Sequence, residues 1–408
     1  MPENIISQWL NLSSVKFVSA VVNNGITEIY LTRNKSQGFT CSECDQALPR
    51  AWRWRRARVR DLSVFEFQPY LVFTKYRVKC PRCGVKVEKI DFLGFNPHYT
   101  KRFEEMVAQM CKIASVKEVA QLLDLDWKTV KEIDKRYLEK QFSIPNYEGL
   151  RFIAIDEVAS RKGHNYFTVV LDLERSAVIW VGKGRSKQTL DKFFKDLGKE
   201  RCKKLIAIAL DMWDPYLASI RKYATQVKEV FDKFHVIKKY SQVIDRVRNA
   251  EYRKANKKDK KVIKGSKYLL LKNEENLKKD EKVDEKRDLR RLLKINKNIN
   301  LVYILKDDLK RLWNYRYSAC AQKFLDSWIQ RARAARIRSL TAFTKTLENY
   351  SCGLINHCYY PIDTAKLEGM NNKIKVIKRR AYGFHDDDYF MLKIKQGCST
   401  PYSILYTQ

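Results

Sequence analysis

Cys41-Ser-Glu-Cys44 and Cys80-Pro-Arg-Cys83 are two CxxC pairs with 35 residues between them. Each pair can present two thiolates on a tight knuckle, and two knuckles complete the tetrahedral four-sulfur site that structural zinc favours. Gly84, directly after the second pair, suits a turn with positive φ. The separation exceeds the roughly 15–20 residues of the commonest zinc pattern, so the chain must loop out between the knuckles. Cys111, Cys202, Cys320, Cys352, Cys358 and Cys398 lack a CxxC partner and are expected to be simple thiols.

A second chemistry is carried by acids. Asp156 follows the apolar run Phe152-Ile-Ala-Ile155, and Asp211 follows Leu205-Ile-Ala-Ile-Ala-Leu210. Glu368 lies in a helix-periodic stretch much later in the chain. Carboxylates at adjacent strand ends can converge on hard cations such as Mg²⁺. Two such ions, about 3.5–4 Å apart, activate an attacking oxygen and stabilise a leaving one in phosphodiester chemistry. Asp214, followed by Pro215, reads instead as a helix N-cap, which leaves Asp211 as the functional acid. Any one of these acids is equally the ordinary surface carboxylate of a loop. His235 reads either as a group near the acids or as a packed residue at a strand end.

These acids need elements to hold them. Strands are expected at Arg151–Ile155, Tyr166–Leu173 and Ala177–Val181 in hairpin order, then a helix over Lys187–Leu197. Further strands are expected at Lys204–Leu210 and Val227–Phe231. That succession describes a ribonuclease-H-like α/β sheet. In Thr364–Arg380 the apolar Leu367, Met370, Ile374 and Ile377 mark one buried helix face. Glu368, Asn371, Asn372, Lys375 and Arg379 fall on an adjoining stripe, and Lys375, Lys378, Arg379 and Arg380 would follow a phosphate backbone. Residues 240–350 look helical throughout and form an insertion between Asp211 and Glu368. Within it, residues 251–300 carry 18 Lys/Arg against 9 Asp/Glu, a net of +9. Contact with DNA ends or a second subunit and a solvated, salt-bridged helical hairpin are both open readings.

Between the cysteine pairs, Arg50, Arg53, Arg55, Arg56, Arg58 and Arg60 interleave with Trp52 and Trp54 without an acid. This is the pattern of a DNA-contacting segment, or of a solvated face. Strands at Val64–Phe67 and Tyr70–Phe73 would return the chain to Cys80. Ser115-Val-Lys-Glu118 fits a capping box, with Val119, Ala120, Leu122 and Leu123 as the apolar face behind it. Asp126 would cap a second helix from Trp127 to Glu139, turning Val130, Ile133 and Tyr137 inward and Lys128, Thr129, Lys131 and Lys135 outward. The pair reads as a helix-turn-helix whose second helix enters the major groove, or as a plain helical hairpin. The expected organisation is a zinc-binding DNA-binding module over 1–97 and a helix-turn-helix over 98–145. A catalytic domain over 146–240 and 350–408 would then be interrupted by the insertion at 241–349.

Composition agrees. The 408 residues hold 81 Lys+Arg and 47 Asp+Glu, a formal charge of +34, with 45% hydrophobic residues. Such a charge calls for a polyanion, nucleic acid first, with ribosomal or membrane-surface binding as the plain alternative. The apolar content excludes a disordered polycation. No stretch approaches the roughly 18–20 apolar residues of a membrane span, and no secretory signal is visible. The expectation is a cytoplasmic, nucleoid-associated protein with reduced cysteines.

The paired CxxC module, Ala154-Ile-Asp156-Glu157, Leu210-Asp211-Met212 and Asp232-Lys-Phe-His235-Val236 together resemble the DDE transposases of bacterial insertion sequences, in the ISL3 group. The most specific match is the run from Leu367-Glu368-Gly-Met-Asn371-Asn372 to Arg380-Ala-Tyr-Gly-Phe384. The resemblance spans the zinc module to about residue 395. It implies that Asp156, Asp211 and Glu368 hold two Mg²⁺ ions, with Mn²⁺ as a substitute, in a ribonuclease-H-like domain. It implies also that the zinc and helix-turn-helix modules recognise terminal inverted repeats in double-stranded DNA, with a homodimer or larger assembly on the DNA. Asp363-Thr-Ala-Lys366 departs from the Ser-Asn-Gly that many relatives carry before the glutamate. A transposase-derived, non-catalytic DNA-binding regulator and a nuclease that cuts without joining are the rival readings.

Overall fold

The computed structural model describes residues 10–34, 36, 38–64, 66–161, 163, 165–272, 274–278, 284–362 and 365–399. Asp363 and Thr364 of the departing segment, and Phe65 of an expected strand, lie outside the described residues. The chain forms two compact units, residues 1–144 with 380–382, and 145–379 with 383–408.

The first unit is built on a sheet of strands β1 (Val15–Asn23), β2 (Ile26–Arg33), β5 (Ala51–Arg60), β6 (Gln68–Cys80) and β7 (Gly84–Val87), in the order β1-β2-β6-β5 with β7 also on β6. Asn24 and Gly25, at φ of 46° and 78°, supply the two left-handed residues that a two-residue hairpin between β1 and β2 requires. Ile29, Leu31, Val59, Leu71 and Phe73 close its core. A small ladder of β3 (Phe39–Thr40) and β4 (Ala47–Leu48) accompanies the first cysteine knuckle. At the strand expected over Val64–Phe67, Val64 and Phe67 instead bond to each other's backbone at 3.1 Å as an isolated antiparallel bridge. Tyr70–Phe73 falls inside the much longer β6.

Three helices follow: α1 (Lys101–Ile113), α2 (Val116–Leu123) and α3 (Trp127–Gln141). Ser115 and Glu118 form the reciprocal capping box before α2, and Asp126 accepts from Lys128 N at 2.8 Å before α3. Asp124, at φ 49°, ends α2 in the left-handed conformation and sets the turn. Val119, Ala120, Val130 and Ile133 pack on Phe103 and Val107 of α1. Leu122, expected on this face, is 71% exposed. Within α2 it falls on the face away from Val119, Ala120 and Leu123, and Leu125 of the turn joins Leu123 against the core.

The second unit centres on a five-stranded sheet in the order β10-β9-β8-β11-β12. β8 (Phe152–Arg161), β9 (Asn165–Asp172) and β10 (Ala177–Lys183) run antiparallel, whereas β11 (Ala207–Leu210) and β12 (Lys228–Phe231) add parallel beside β8. Strand alternation splits the core in two. Ile153, Ile155, Ile208 and Leu210 join one cluster with α4 (Lys187–Leu197), the short α5 (Lys199–Cys202), α6 (Asp214–Tyr223) and α7 (Lys233–Lys254). Ala154 and Ala209 join the other, with α15 (Ala365–Arg380) and α16 (Asp387–Cys398). The result is a mixed α/β domain with helices on both faces of the sheet.

Helices α8 (Lys257–Ile263), α9 (Lys267–Leu271), α10 (Glu285–Ile295), α11 (Lys297–Lys310), α12 (Ser318–Ala334) and α13 (Arg338–Asn349) fall, with most of α7, in the expected insertion, and the short α14 (Ser351–Ile355) follows it. Its core continues the first cluster through Tyr240, Val302, Trp328 and Leu340. Trp328 and Tyr240, both fully buried, donate to the carbonyls of Leu305 and Val302 at 3.0 and 2.9 Å.

Three boundaries differ from expectation. β11 starts only at Ala207, because the Lys204 and Leu205 amides donate back to the last carbonyls of α5, those of Arg201 and Cys202. β8 runs on past Asp156 to Arg161, since it keeps pairing with β9 after β11 has ended. Asp214 opens α6 without capping it, the N-cap being Trp213; its carboxylate instead accepts the Tyr350 hydroxyl at 2.5 Å.

Candidate functional site

Cys41, Cys44, Cys80 and Cys83 bring their four sulfurs within 4.8 Å of one another. The first knuckle is closed by Cys41 N on Gln46 O at 2.9 Å and Asp45 N on Cys41 O at 3.2 Å; Gly84, at φ 73°, turns the second into β7. Burial opposes ionisation of Cys80, but the amides of Cys83 and Arg82 and the neighbouring thiols outweigh it and bring its pKa to about 7. The donor set and its closure are those of a four-thiolate metal knuckle.

The arginine strand β5 divides by face. Arg53, Arg55, Arg56 and Arg58 are exposed, with Arg55 over the Trp54 ring and Arg56 over Tyr30. Arg58 stacks 3.4 Å over Tyr70 and pairs with Glu28 at 2.8 Å. Arg60 is buried and is a strut: its guanidinium donates to the Leu123 carbonyl at 2.7 Å, tying the sheet to the end of α2. On α3, Lys128 is exposed and Lys131 half-buried.

The acids gather where β11 ends. Leu210 pairs with Ile155 on one side and Phe231 on the other, so Asp211, Asp156 and Asp232 follow side by side at one edge. Asp211 meets the Nδ1 edge of His235, and Asp232 caps α7 through Phe234 N at 2.8 Å. His235 therefore lies in the first turn of α7 rather than at a strand end. Oxygens of Asp211 and Asp232 and a ring nitrogen of His235 lie within 4.8 Å of one another. Burial lowers the His235 pKa, against the pull of the Asp156 carboxylate.

Asp156 has the parity of Ala154 and so faces α15. Its carboxylate takes a hydrogen bond from the Asn371 side-chain amide and another from Glu157 N at 2.7 Å. Glu368 lies one turn before Asn371, in the first turn of α15, and is exposed. Among the described residues it joins neither group of mutually close ligand atoms. Leu367 and Ile374 are buried under α15 and Met370 and Ile377 partly so. Asn372, Lys375, Arg379 and Arg380 are exposed, and Lys375 donates to Asn372 Oδ1 at 3.3 Å.

Asp232 and Glu157 stand in the stretches that carry the family resemblance, but sequence reasoning assigned neither a role of its own. Glu157 is held by Arg185 at 3.5 Å; burial raises its pKa. No described helix is long and apolar enough to cross a membrane.

Comparison with known proteins bears on each module in turn. Residues 37–83 match the zinc-finger of the transposases of IS204, IS1001, IS1096 and IS1165, and residues 88–138 match the helix-turn-helix domain of transposase family ISL3. Residues 153–394 match the ISL3 transposase domain. The chain is 37% identical over 371 residues to the transposase for insertion sequence element IS1001 of Bordetella parapertussis, covering 90% of each. It is 24% identical over 401 residues to the transposase for IS1557 of Mycobacterium tuberculosis, covering 91% of this chain and 89% of the relative. With zinc-finger, helix-turn-helix and transposase domain matched in that order, the chain belongs to the ISL3 family of insertion-sequence transposases.

Proposed function

We propose that this transposase cuts DNA at the terminal inverted repeats of its element and joins the freed ends to target DNA. Asp156, Asp211 and Glu368 would be the acids that hold two divalent ions, and Cys41, Cys44, Cys80 and Cys83 would hold a structural zinc. The observation that carries the reading is the bond from Asn371 to Asp156. Residues three apart on a helix share a face, so the face of α15 that carries Glu368 is the one turned to Asp156. The sheet order and its two helical layers support a ribonuclease-H-like fold.

The cluster of Asp211, Asp232 and His235 at the edge where β11 ends suits a hard cation, being carboxylate oxygens with a single imidazole beside them. When bound there, Mg²⁺, or Mn²⁺ in its place, supplies Lewis-acid polarisation of the phosphodiester and a more acidic attacking water. The chain's own residues do the rest. Asn371 holds one Asp156 oxygen, His235 steadies Asp211, and Asp232 ties that edge to the start of α7. Lys375 and Arg379, exposed on α15, would grip the phosphates of the strand being cut, together with Arg380, whose guanidinium also donates to the Ile113 and Lys112 carbonyls.

Arg53, Arg55, Arg56 and Arg58 of β5 and Lys128 and Lys131 of α3 would contact the repeat. Joining needs two ends held together, hence a homodimer or larger assembly on DNA, in the cytoplasm at the nucleoid. Cleavage and strand-transfer assays with Mg²⁺ on Asp156→Ala, Asp211→Ala and Glu368→Ala test the site. Each variant should bind end DNA normally and neither cut nor join. Full activity in any of them removes that residue, and a wild type that binds without cutting would be a regulator.

A further inference from the structure

In the first unit a cleft of about 610 Å³ opens between β5 and the turn before α3. Arg55, Arg56, Arg58, Lys75 and His98 line it, and Asp124 is the one acid in its wall. Lys75 is its unusual member. It is only 5% exposed, and no carboxylate or carbonyl receives its ammonium among the described residues.

Directly opposite Lys75 in the β5–β6 ladder stands another cation, Arg55. Burial and that neighbour both hold the lysine below its usual pKa. A buried charge without a counter-ion costs free energy, and so does a like charge directly across a strand pair. Arg55 and Arg56 rest on the aromatic faces of Trp54 and Tyr30; among the described residues Glu28 pairs directly with Arg58 and meets Arg56 only through its field. The cleft is thus a concave, low-dielectric site whose positive charge is not neutralised from within, the arrangement that concentrates an anion.

We propose that this cleft is a seat for one phosphate group of the DNA backbone, with Lys75 as its buried cation and Arg55 and Arg56 closing over the oxyanion. The proposal rests on the DNA-end reading above and adds a residue and a ligand group to it. A lysine offers a point charge to a phosphate and an arginine a planar fork, so the two types divide the work. The wall opposite the strand is Asp124 and Leu125, the turn that Arg60 holds through Leu123. A phosphate seated there would fix where the duplex meets the start of α3, setting register without reading sequence.

The test uses the full-length protein and measures affinity against salt for two short duplexes, the element's own flank and an unrelated sequence. Lys75→Gln should lower affinity about tenfold on both, and flatten the slope of log affinity against log salt by about 0.9, the signature of one lost phosphate contact. Lys75→Arg should keep most of the affinity. Lys75→Gln should also melt no lower than wild type, because it removes an unpaired buried charge. Should Lys75→Gln fail to fold, Arg56→Gln reads out the same slope.

Inorganic phosphate should compete with DNA for the wild type and lose that effect in Lys75→Gln. Phosphate binding that depends on Lys75 while the DNA slope does not would make the cleft a free-anion site and overturn the proposal. An unchanged slope in Lys75→Gln, with wild-type binding intact, overturns the seat alone. A wild type that binds neither duplex overturns the seat and the end-binding reading together.

Discussion

Asn371 donates its side-chain amide to the carboxylate of Asp156 across 215 residues of sequence, fastening α15 to β8, the central strand of the second unit's sheet. Neither residue could be paired with the other by any local rule.

Replacing Asn371 with Ala should therefore weaken catalysis without unfolding the domain. Groups that orient a metal-binding acid are typically worth about 10–100-fold in metal affinity or activity. The expected result is a right-shifted Mg²⁺ dependence of end cleavage, with an unchanged melting temperature. An unaltered Mg²⁺ curve would show that Asp156 needs no such support.

Arg60 and Arg56 lie four residues apart on one strand and should behave oppositely. Arg60→Ala strands the Leu123 carbonyl and empties a buried site, costing about 1–3 kcal/mol of stability. Arg56→Gln, at an exposed position, should change stability by less than about 0.5 kcal/mol and lower DNA affinity instead. Thermal unfolding beside a binding titration separates them.

The four-cysteine cluster should carry one zinc per chain, and the fold of the module around it should depend on that ion. Cys80→Ser, or a strong chelator, is expected to lower the melting temperature of the first unit and abolish DNA binding, since such sites contribute folding energy outright. Metal analysis finding under half an equivalent in active protein would refute this.

How far the sequence could be read follows the range of the interactions. The capping box of Ser115 and Glu118 and the cap at Asp126 were legible because all their atoms lie within three residues of chain. The helix over Lys187–Leu197 was legible from its apolar spacing. What failed depended on partners far away. Asp156 looked like a strand end because the apolar run stops there, yet pairing with β9 carries the strand on. Asp214 looked like a cap, yet its partner is Tyr350. Arg60 looked like one more surface arginine until the Leu123 carbonyl gave it an interior role. The acids themselves could be nominated from the sequence, but the roles of Asp232 and Asn371 needed the strand register and the packing of α15.

The insertion hides a further testable charge. Lys306 is 1% exposed and donates to the carbonyls of Leu270 and Lys272 at 2.8 and 2.9 Å, and burial brings its pKa down to about 8. Its folded pKa lies below the usual 10.5, so between about 8 and 10.5 the unfolded chain holds a proton that the folded one has released. The lysine's contribution to stability is then full above 10.5 and is lost as pH falls through 8. Lys306→Met should be destabilising, with a deficit relative to wild type that widens from pH 8 to pH 10. Parallel denaturation curves across that range would exclude the assignment.

The lateness of α15 and α16 has an outcome for timing. A ribosome making this chain releases β8, β9, β10, β11 and β12 long before Glu368 and Asn371 leave the exit tunnel, and one face of the sheet waits bare for them. Until α15 has emerged, the nascent polypeptide has its cysteine knuckles and its first three helices but, on the proposed assignment, an incomplete set of acids. On that assignment, a copy cut short before α15 is chemically disarmed.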